Sequence, residues 1–165
     1  MARSLAPQAR VSLCVILQRV VLMSNETFSA LTKDQLSLLE RTFVIRLPSF
    51  YRQFLLAYPC YLTEPTLREE SISDCEIVAD YGRLIELNRS VRDPNLWFFG
   101  EHPWPNQFLA IGMDVCGSHY FIDTTGEHPG ILFQDNYSWD IERKAESLYE
   151  LARQIEESIA ETYEA

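Results

Sequence analysis

The sequence predicts an α+β domain, a mostly antiparallel sheet flanked by helices. Apolar residues recur every three or four positions in four segments, beginning near Thr32, Pro48, Tyr81 and Leu148. Between the third and fourth lie three short aliphatic and aromatic runs, "QFLAIG", "SHYFID" and "GILFQD", joined by the turn-rich peptides "MDVCG" and "TTGEHPG". Connections that short join antiparallel neighbours, so the helices pack beside the sheet rather than alternating with its strands.

Each element has a local reason. Thr32 and Gln35 have the spacing of a capping box, and Leu36, Leu39 and Phe43 follow at helical intervals, which predicts a helix of about ten residues. In "LPSFYRQFLLAYP", Pro48 suits a first helical turn, and Phe50, Tyr51, Phe54, Leu55 and Tyr58 make one broad apolar face. Pro59 is expected to end that helix because it cannot continue the hydrogen-bond ladder. "SISDCEIVAD" alternates enough for a strand. "YGRLIELNRSVRDPN" places Leu84, Leu87, Asn88 and Val91 on one helical face and Arg89 and Arg92 on the solvated side, with Asp93-Pro94 closing it. In "FFGEHPWPNQ" two prolines flank Trp104, which predicts an extended crossing anchored in the core by the indole. "ERKAESLYELARQIEESI" reads as a final helix, with Leu148, Leu151, Ile155 and Ile159 on one stripe and Glu150, Glu156 and Glu157 turned to water.

The 165 residues suit one ordinary domain, and with 47% hydrophobic and 12% aromatic residues the chain can bury a core. The formal charge is -10. Residues 1–65 hold seven Lys or Arg against four Asp or Glu, so the excess of acid lies wholly in the later part. That balance repels phosphate backbones, which disfavours nucleic acid and favours steering of a basic protein partner. Four cysteines without a CxxC pair do not make a disulfide framework, which points to a reducing cytoplasm. The apolar "VSLCVILQRVVL" is interrupted by Gln18 and Arg19, lacks a small-residue cleavage site, and is too short and charged to span a bilayer. Residues 1–22 are therefore expected to be a disordered extension or the product of an upstream start codon, and 23–165 a single domain.

With these elements in place, "LTKDQLSLLERTFVIRLPSFYRQFLLAYP" resembles the opening of the SUKH superfamily, in its Smi/Knr-type branch. "LIELNRSVRD" is similar to that family's middle helix. "WPNQFLAIGMDVCGSHYFID" is similar to its signature of tryptophan, isoleucine-glycine, a cysteine-glycine turn and an aromatic strand ending in aspartate. One departure is "AYPCYLTEP", where the family often has an asparagine-glycine-glycine-like turn, so the loop at 59–66 is expected to differ in shape. The resemblance implies a non-enzymatic protein-binding domain, foremost an immunity protein that neutralises a cognate bacterial toxin, with a cell-wall or signalling regulator as the alternative.

The residues themselves offer one competing chemistry. Cys116, His119 and Asp123 have the residue types of a thiol site, and with His128 those of a zinc site, but a structural zinc site needs a second ligand pair that the spacing does not supply. Gly112 and Gly117 favour a tight turn there, with Cys116 a small buried hydrophobe. On this reading there is no catalytic residue, cofactor or metal, and a thiol or metal enzyme centred on Cys116 is the least favoured alternative. The candidate partner-binding residues are acids before or within the first predicted sheet strand, Glu69, Glu70, Asp74 and Glu76, and acids at turns, Asp114, Asp135 and Asp140. The expected partner is a toxin domain of basic character, such as a nuclease, with neither nucleic acid nor membrane as a direct ligand.

Overall fold

A computed structural model describes residues 27–28, 30–59, 75–78, 80–95, 103–114, 116–138 and 140–164. The expected extension at 1–22 and most of the 59–66 loop lie outside these residues.

Helix α1 (Lys33–Phe43) starts where the capping box predicts: the Gln35 backbone N–H donates to Thr32 Oγ1 (3.2 Å) and the Thr32 N–H to Gln35 Oε1 (2.8 Å). Leu36 and Leu39 are fully buried. The helix closes on Val44 in the left-handed conformation (φ 55°) with 91% of its surface exposed. A β-branched residue pays ~1–2 kcal/mol there, and no packing offsets it. Glycine would remove that strain while gaining ~0.4–1 kcal/mol of unfolded-chain freedom, so Val44→Gly is expected to stabilise by about 0.5–1 kcal/mol. A lower urea midpoint for the variant would refute this account of the cap.

Helix α2 (Ser49–Leu56) buries Tyr51, Phe54 and Leu55, while Phe50 stands 41% exposed. Pro48 caps it rather than entering its first turn, its carbonyl accepting the Tyr51 and Arg52 N–H groups. The expectation that Pro59 ends this helix is corrected. The helix stops at Leu56, because Tyr58–Pro59 (β2) already pairs antiparallel with Thr27–Phe28 (β1). Glu40 fixes the α1–α2 junction, accepting the Leu47 N–H (2.8 Å) and pairing with Arg52 (2.8 Å). Burial pushes its carboxyl up, but these contacts outweigh that and hold it below the usual range.

The main sheet has five antiparallel strands in the order β3-β4-β5-β6-β7: Cys75–Ile77, Phe108–Asp114, His119–Asp123, Ile131–Gln134 and Ile141–Ala145. Helix α3 (Tyr81–Ser90) precedes β4 and α4 (Leu148–Glu164) follows β7, so the molecule is α+β as predicted. Strand β7 is a correction, since the sequence predicts "ERKA" as part of the last helix, which begins only at Leu148. Four of its five residues are exposed, so it carries no apolar alternation. What makes it a strand is pairing with β6, which Gly130 permits: at φ 94°, a Cβ there would lie 2.6 Å from the Ala145 carbonyl oxygen.

Strand β3 covers only Gly112–Asp114 of its neighbour. Farther along β4 the partner is the buried Asn88 carboxamide of α3: the Ala110 N–H donates to its Oδ1 (2.9 Å) and its Nδ2 donates to the Ala110 carbonyl (2.7 Å). Arg92 extends the substitution, donating to Asn88 Oδ1 (2.9 Å) and to the Phe108 carbonyl (2.6 Å), with its guanidinium over the Phe43 ring. The solvated placement of Arg92 is thereby corrected: it docks α3 onto the sheet, whereas Arg89 is exposed.

Candidate partner-binding surface

The β4–β5 turn is built around Asp114, whose Oδ1 accepts the Cys116 N–H (2.9 Å) and the Ser118 N–H (2.8 Å) while Gly117 takes φ 83°. Cys116 is exposed at the tip, which corrects its expected burial; the turn turns its side chain away from the core. The β6–β7 turn repeats the device. Asp135 Oδ1 accepts the N–H groups of Ser138 and Tyr137, both at 2.8 Å, and these bonds hold its carboxyl below the usual range. The Asp135 N–H closes the hairpin on the Asp140 carbonyl (3.1 Å). Asn136 ties the two turns together, donating from Nδ2 to the Cys116 carbonyl (3.1 Å) and from its backbone to Ser118 Oγ (3.2 Å).

Asp114, Asp135 and Asp140 therefore share one end of the sheet. Cys75 pairs with Asp114, so β3 also starts at that end and Glu76 is its second residue, opposite Met113. Glu69, Glu70 and Asp74, and the side chain of Glu76, lie outside the described residues.

Next to this acidic end is an apolar cleft of about 370 Å³. Its wall is the Pro103-Trp104-Pro105 crossing, its floor Phe108 and Phe121, and its far side Gln134 and Ile141. Trp104 is 7% exposed, as its flanking prolines predict, and packs edge-on against His119 and Phe121 (5.7 and 5.3 Å between centroids). Burial pushes the His119 imidazole down, against a smaller upward pull from Asp114, so the ring is neutral at neutral pH. Gln134 is 5% exposed and lines the cleft. Sequence reasoning did not single out Gln134 or Ile141. A glutamine at a strand end beside an acidic turn reads as surface, and only the parity it shares with buried Leu132 hinted otherwise.

The geometry separates the Cys-His-Asp alternative. His119 and Asp123 are four residues apart on β5, about 13 Å at ~3.3 Å per residue. Asp123 instead locks the β5–β6 turn: Oδ1 accepts the Thr125 N–H and hydroxyl (2.8 and 2.6 Å), and Oδ2 meets the His128 N–H (3.1 Å) and Nδ1 (2.8 Å). Asp123, Glu127 and His128 bring ligand atoms within 4.8 Å of one another. A cation there would have to displace the hydrogen bonds that both Asp123 oxygens already accept.

Burial pushes the Asp123 carboxyl up, but its Thr125 and His128 partners outweigh that and hold it below the ordinary value. Its stabilising contribution is thus present above the unfolded-state aspartate pKa of about 3.9 and lost as pH falls through the lower folded value. Asp123→Asn is expected to cost about 2 kcal/mol near neutral pH and progressively less below about pH 4. Urea melts across that range check this, and a cost independent of pH would sink the turn-lock account.

Among curated proteins no relative matches the chain. The model of the SMI1 / KNR4 family (SUKH-1) matches residues 30–161, from just before α1 into α4 and across the whole main sheet. With that match over most of its length, and with the helix-helix-sheet order and the tryptophan-to-aspartate signature in place, this chain belongs to the SMI1 / KNR4 family (SUKH-1).

Proposed function

We propose that this chain acts by stoichiometric protein binding, as an immunity protein that captures and neutralises a cognate bacterial toxin in the cytoplasm, without catalysis of its own. The observation that carries the reading is the acidic sheet end: Asp114, Asp135 and Asp140 sit on two turns cross-tied by Asn136. Carboxylates held on rigid turns lose little entropy on binding and present a fixed field to a basic surface. A toxin whose cationic surface binds phosphates, such as a nuclease domain, fits that field and would be both steered and occluded by it. Glu76, and Glu69, Glu70 and Asp74 just before it, extend the proposed acidic surface. Among the described residues no helix is long and apolar enough to cross a membrane.

Co-expression with a toxin encoded beside this gene tests the proposal: growth is expected to be restored, and unrelieved killing would defeat it. In the purified pair, raising salt from about 50 to about 500 mM is expected to weaken association about tenfold or more. Asp140→Lys should slow association several-fold at the lower salt only. Binding indifferent to salt would remove the acidic end from the mechanism.

A further inference from the structure

We infer that the groove at the end of α1, lined by Ser37, Glu40, Arg41, Val44 and Ile45, is a second protein-binding surface that takes an acidic segment carrying an apolar side chain. The apolar side chain packs on Val44 and Ile45, and the carboxylates beside it meet Arg41 and Arg46. This surface lies beyond the immunity reading and does not depend on it: it has the opposite charge and belongs to the helical layer rather than to the sheet end. A strained residue, two unpaired cations and the charge of the whole chain point to that one occupant.

Val44 breaks a local rule without local compensation. It holds a left-handed backbone (φ 55°) that suits glycine, and 91% of its surface faces solvent, so its isopropyl group adds no packing within the chain. Strain of this kind is kept where a residue serves contact outside its own fold. Val44 is not alone. Ile45 lines the same shallow groove, of about 720 Å³, and Leu38, 43% exposed, lies one helical turn before Arg41 on the same face of α1. One exposed valine is ordinary, but an apolar cluster rimmed by unpaired charge marks a contact surface. Those charges are basic. Glu40, the acid in the lining, is already engaged: it accepts the Leu47 N–H (2.8 Å) and pairs with Arg52 (2.8 Å). Burial pushes its carboxyl up, but Leu47, Arg52 and, through space, Arg46 pull it below the usual range, which sets Arg46 beside the same groove. Arg41 and Arg46 are exposed and make no ion pair among the described residues. Two guanidinium groups therefore stand free beside an apolar floor, and each suits a carboxylate. Arginine suits phosphate as well, so the rest of the chain decides the class. At a formal charge of -10 the protein is repelled by the continuous charge of a nucleic acid or an anionic bilayer, whereas one short acidic segment needs only these two cations.

The test uses the full chain, ¹⁵N-labelled, at about 150 mM salt, where long-range repulsion is screened. It is titrated with a capped Glu-Leu-Glu tripeptide and, separately, with a capped Lys-Leu-Lys tripeptide. The acidic probe is expected to shift the Val44 and Ile45 backbone amides saturably, and to bind there about threefold or more tighter than the basic one. Val44→Gly, read at the Ile45 amide, should weaken the acidic probe about fivefold while raising the urea midpoint, a pairing that a purely structural role for Val44 does not produce. Arg41→Gln, on the exposed face of α1, should weaken it about threefold with the fold unchanged. The inference is overturned by absent or non-saturable shifts, by equal or tighter binding of the basic probe at these amides, or by unchanged affinity in both variants. It is overturned equally if vesicles of phosphatidylcholine and phosphatidylglycerol sediment the unsubstituted chain and not Val44→Gly, which would make the surface a membrane contact. The same holds if these amides move on dilution alone, which would make a second copy the occupant. Protection from a toxin is expected to be intact in Val44→Gly, because the acidic end lies on the β4–β5 and β6–β7 turns; its loss together with probe binding would overturn the inference of a second surface.

Discussion

Trp104→Ala is expected to destabilise the protein by ~3–5 kcal/mol, the range for truncating a buried aromatic residue. The indole is 7% exposed and stacks edge-on against three rings, those of Phe108, His119 and Phe121. Its Nε1–H also donates to the Phe108 carbonyl at 2.9 Å. Alanine would open a cavity under the Pro103–Pro105 crossing and remove one of the two donors on that carbonyl, leaving Arg92 as the other. Trp104→Phe should retain most of the packing and cost about 1–2 kcal/mol, because it still loses the hydrogen bond. Denaturant melts of both variants at fixed pH check the pair. A loss below about 1 kcal/mol for alanine would mean that Trp104 is an interface residue held at the surface rather than a core anchor.

Asn88→Ala is expected to be comparably severe, at ~2–6 kcal/mol, for a different reason. Asn88 is fully buried, and its carboxamide does for β4 what a missing stretch of β3 would do, satisfying both the N–H and the C=O of Ala110. Truncation leaves two buried backbone groups unpaired and removes an acceptor from Arg92. Asn88→Asp separates hydrogen bonding from size. The carboxylate keeps the acceptor for the Ala110 N–H and for Arg92, but places an oxygen against the Ala110 and Leu84 carbonyls, where the amide nitrogen now donates. It should therefore remain strongly destabilising although the shape is almost unchanged. A near-neutral Asn88→Asp would show that the edge of β4 finds other partners, and that α3 docks by apolar contact alone.

The two cases mark how far the sequence could be read. Trp104 was legible as an anchor because Pro103 and Pro105 restrict the backbone beside it and leave a large apolar side chain little reason to be in water. Asn88 was legible as a member of the buried face of α3 from its spacing with Leu84, while its role was not, since that depends on where β3 happens to stop. Arg92 was misplaced for the same reason. Helical periodicity assigns a face, but a long side chain on that face's margin can reach the sheet, and the backbone acceptor that draws it, at Phe108, is sixteen residues away. Of the acids chosen for partner binding, those at turns were visible because Asp before a Gly or Ser turn has a local backbone to cap. That Asp114 and Asp135 belong to one surface follows only from Asn136 bridging their turns.

The sequence alone determined the elements whose cause is local: the capping box at Thr32, the apolar stripes of the helices, the three central strands and the short antiparallel connections between them. Tertiary structure decided what depends on distant partners. It made a strand of the charged "ERKA" segment by pairing it with β6, exposed Cys116 at a turn tip, drew Arg92 inward, and set Gln134 beside Trp104 and Ile141 to form the cleft. The physical reason is one of range. Capping and periodic burial are encoded within a few residues, whereas the satisfaction of a backbone edge is settled only when remote segments meet.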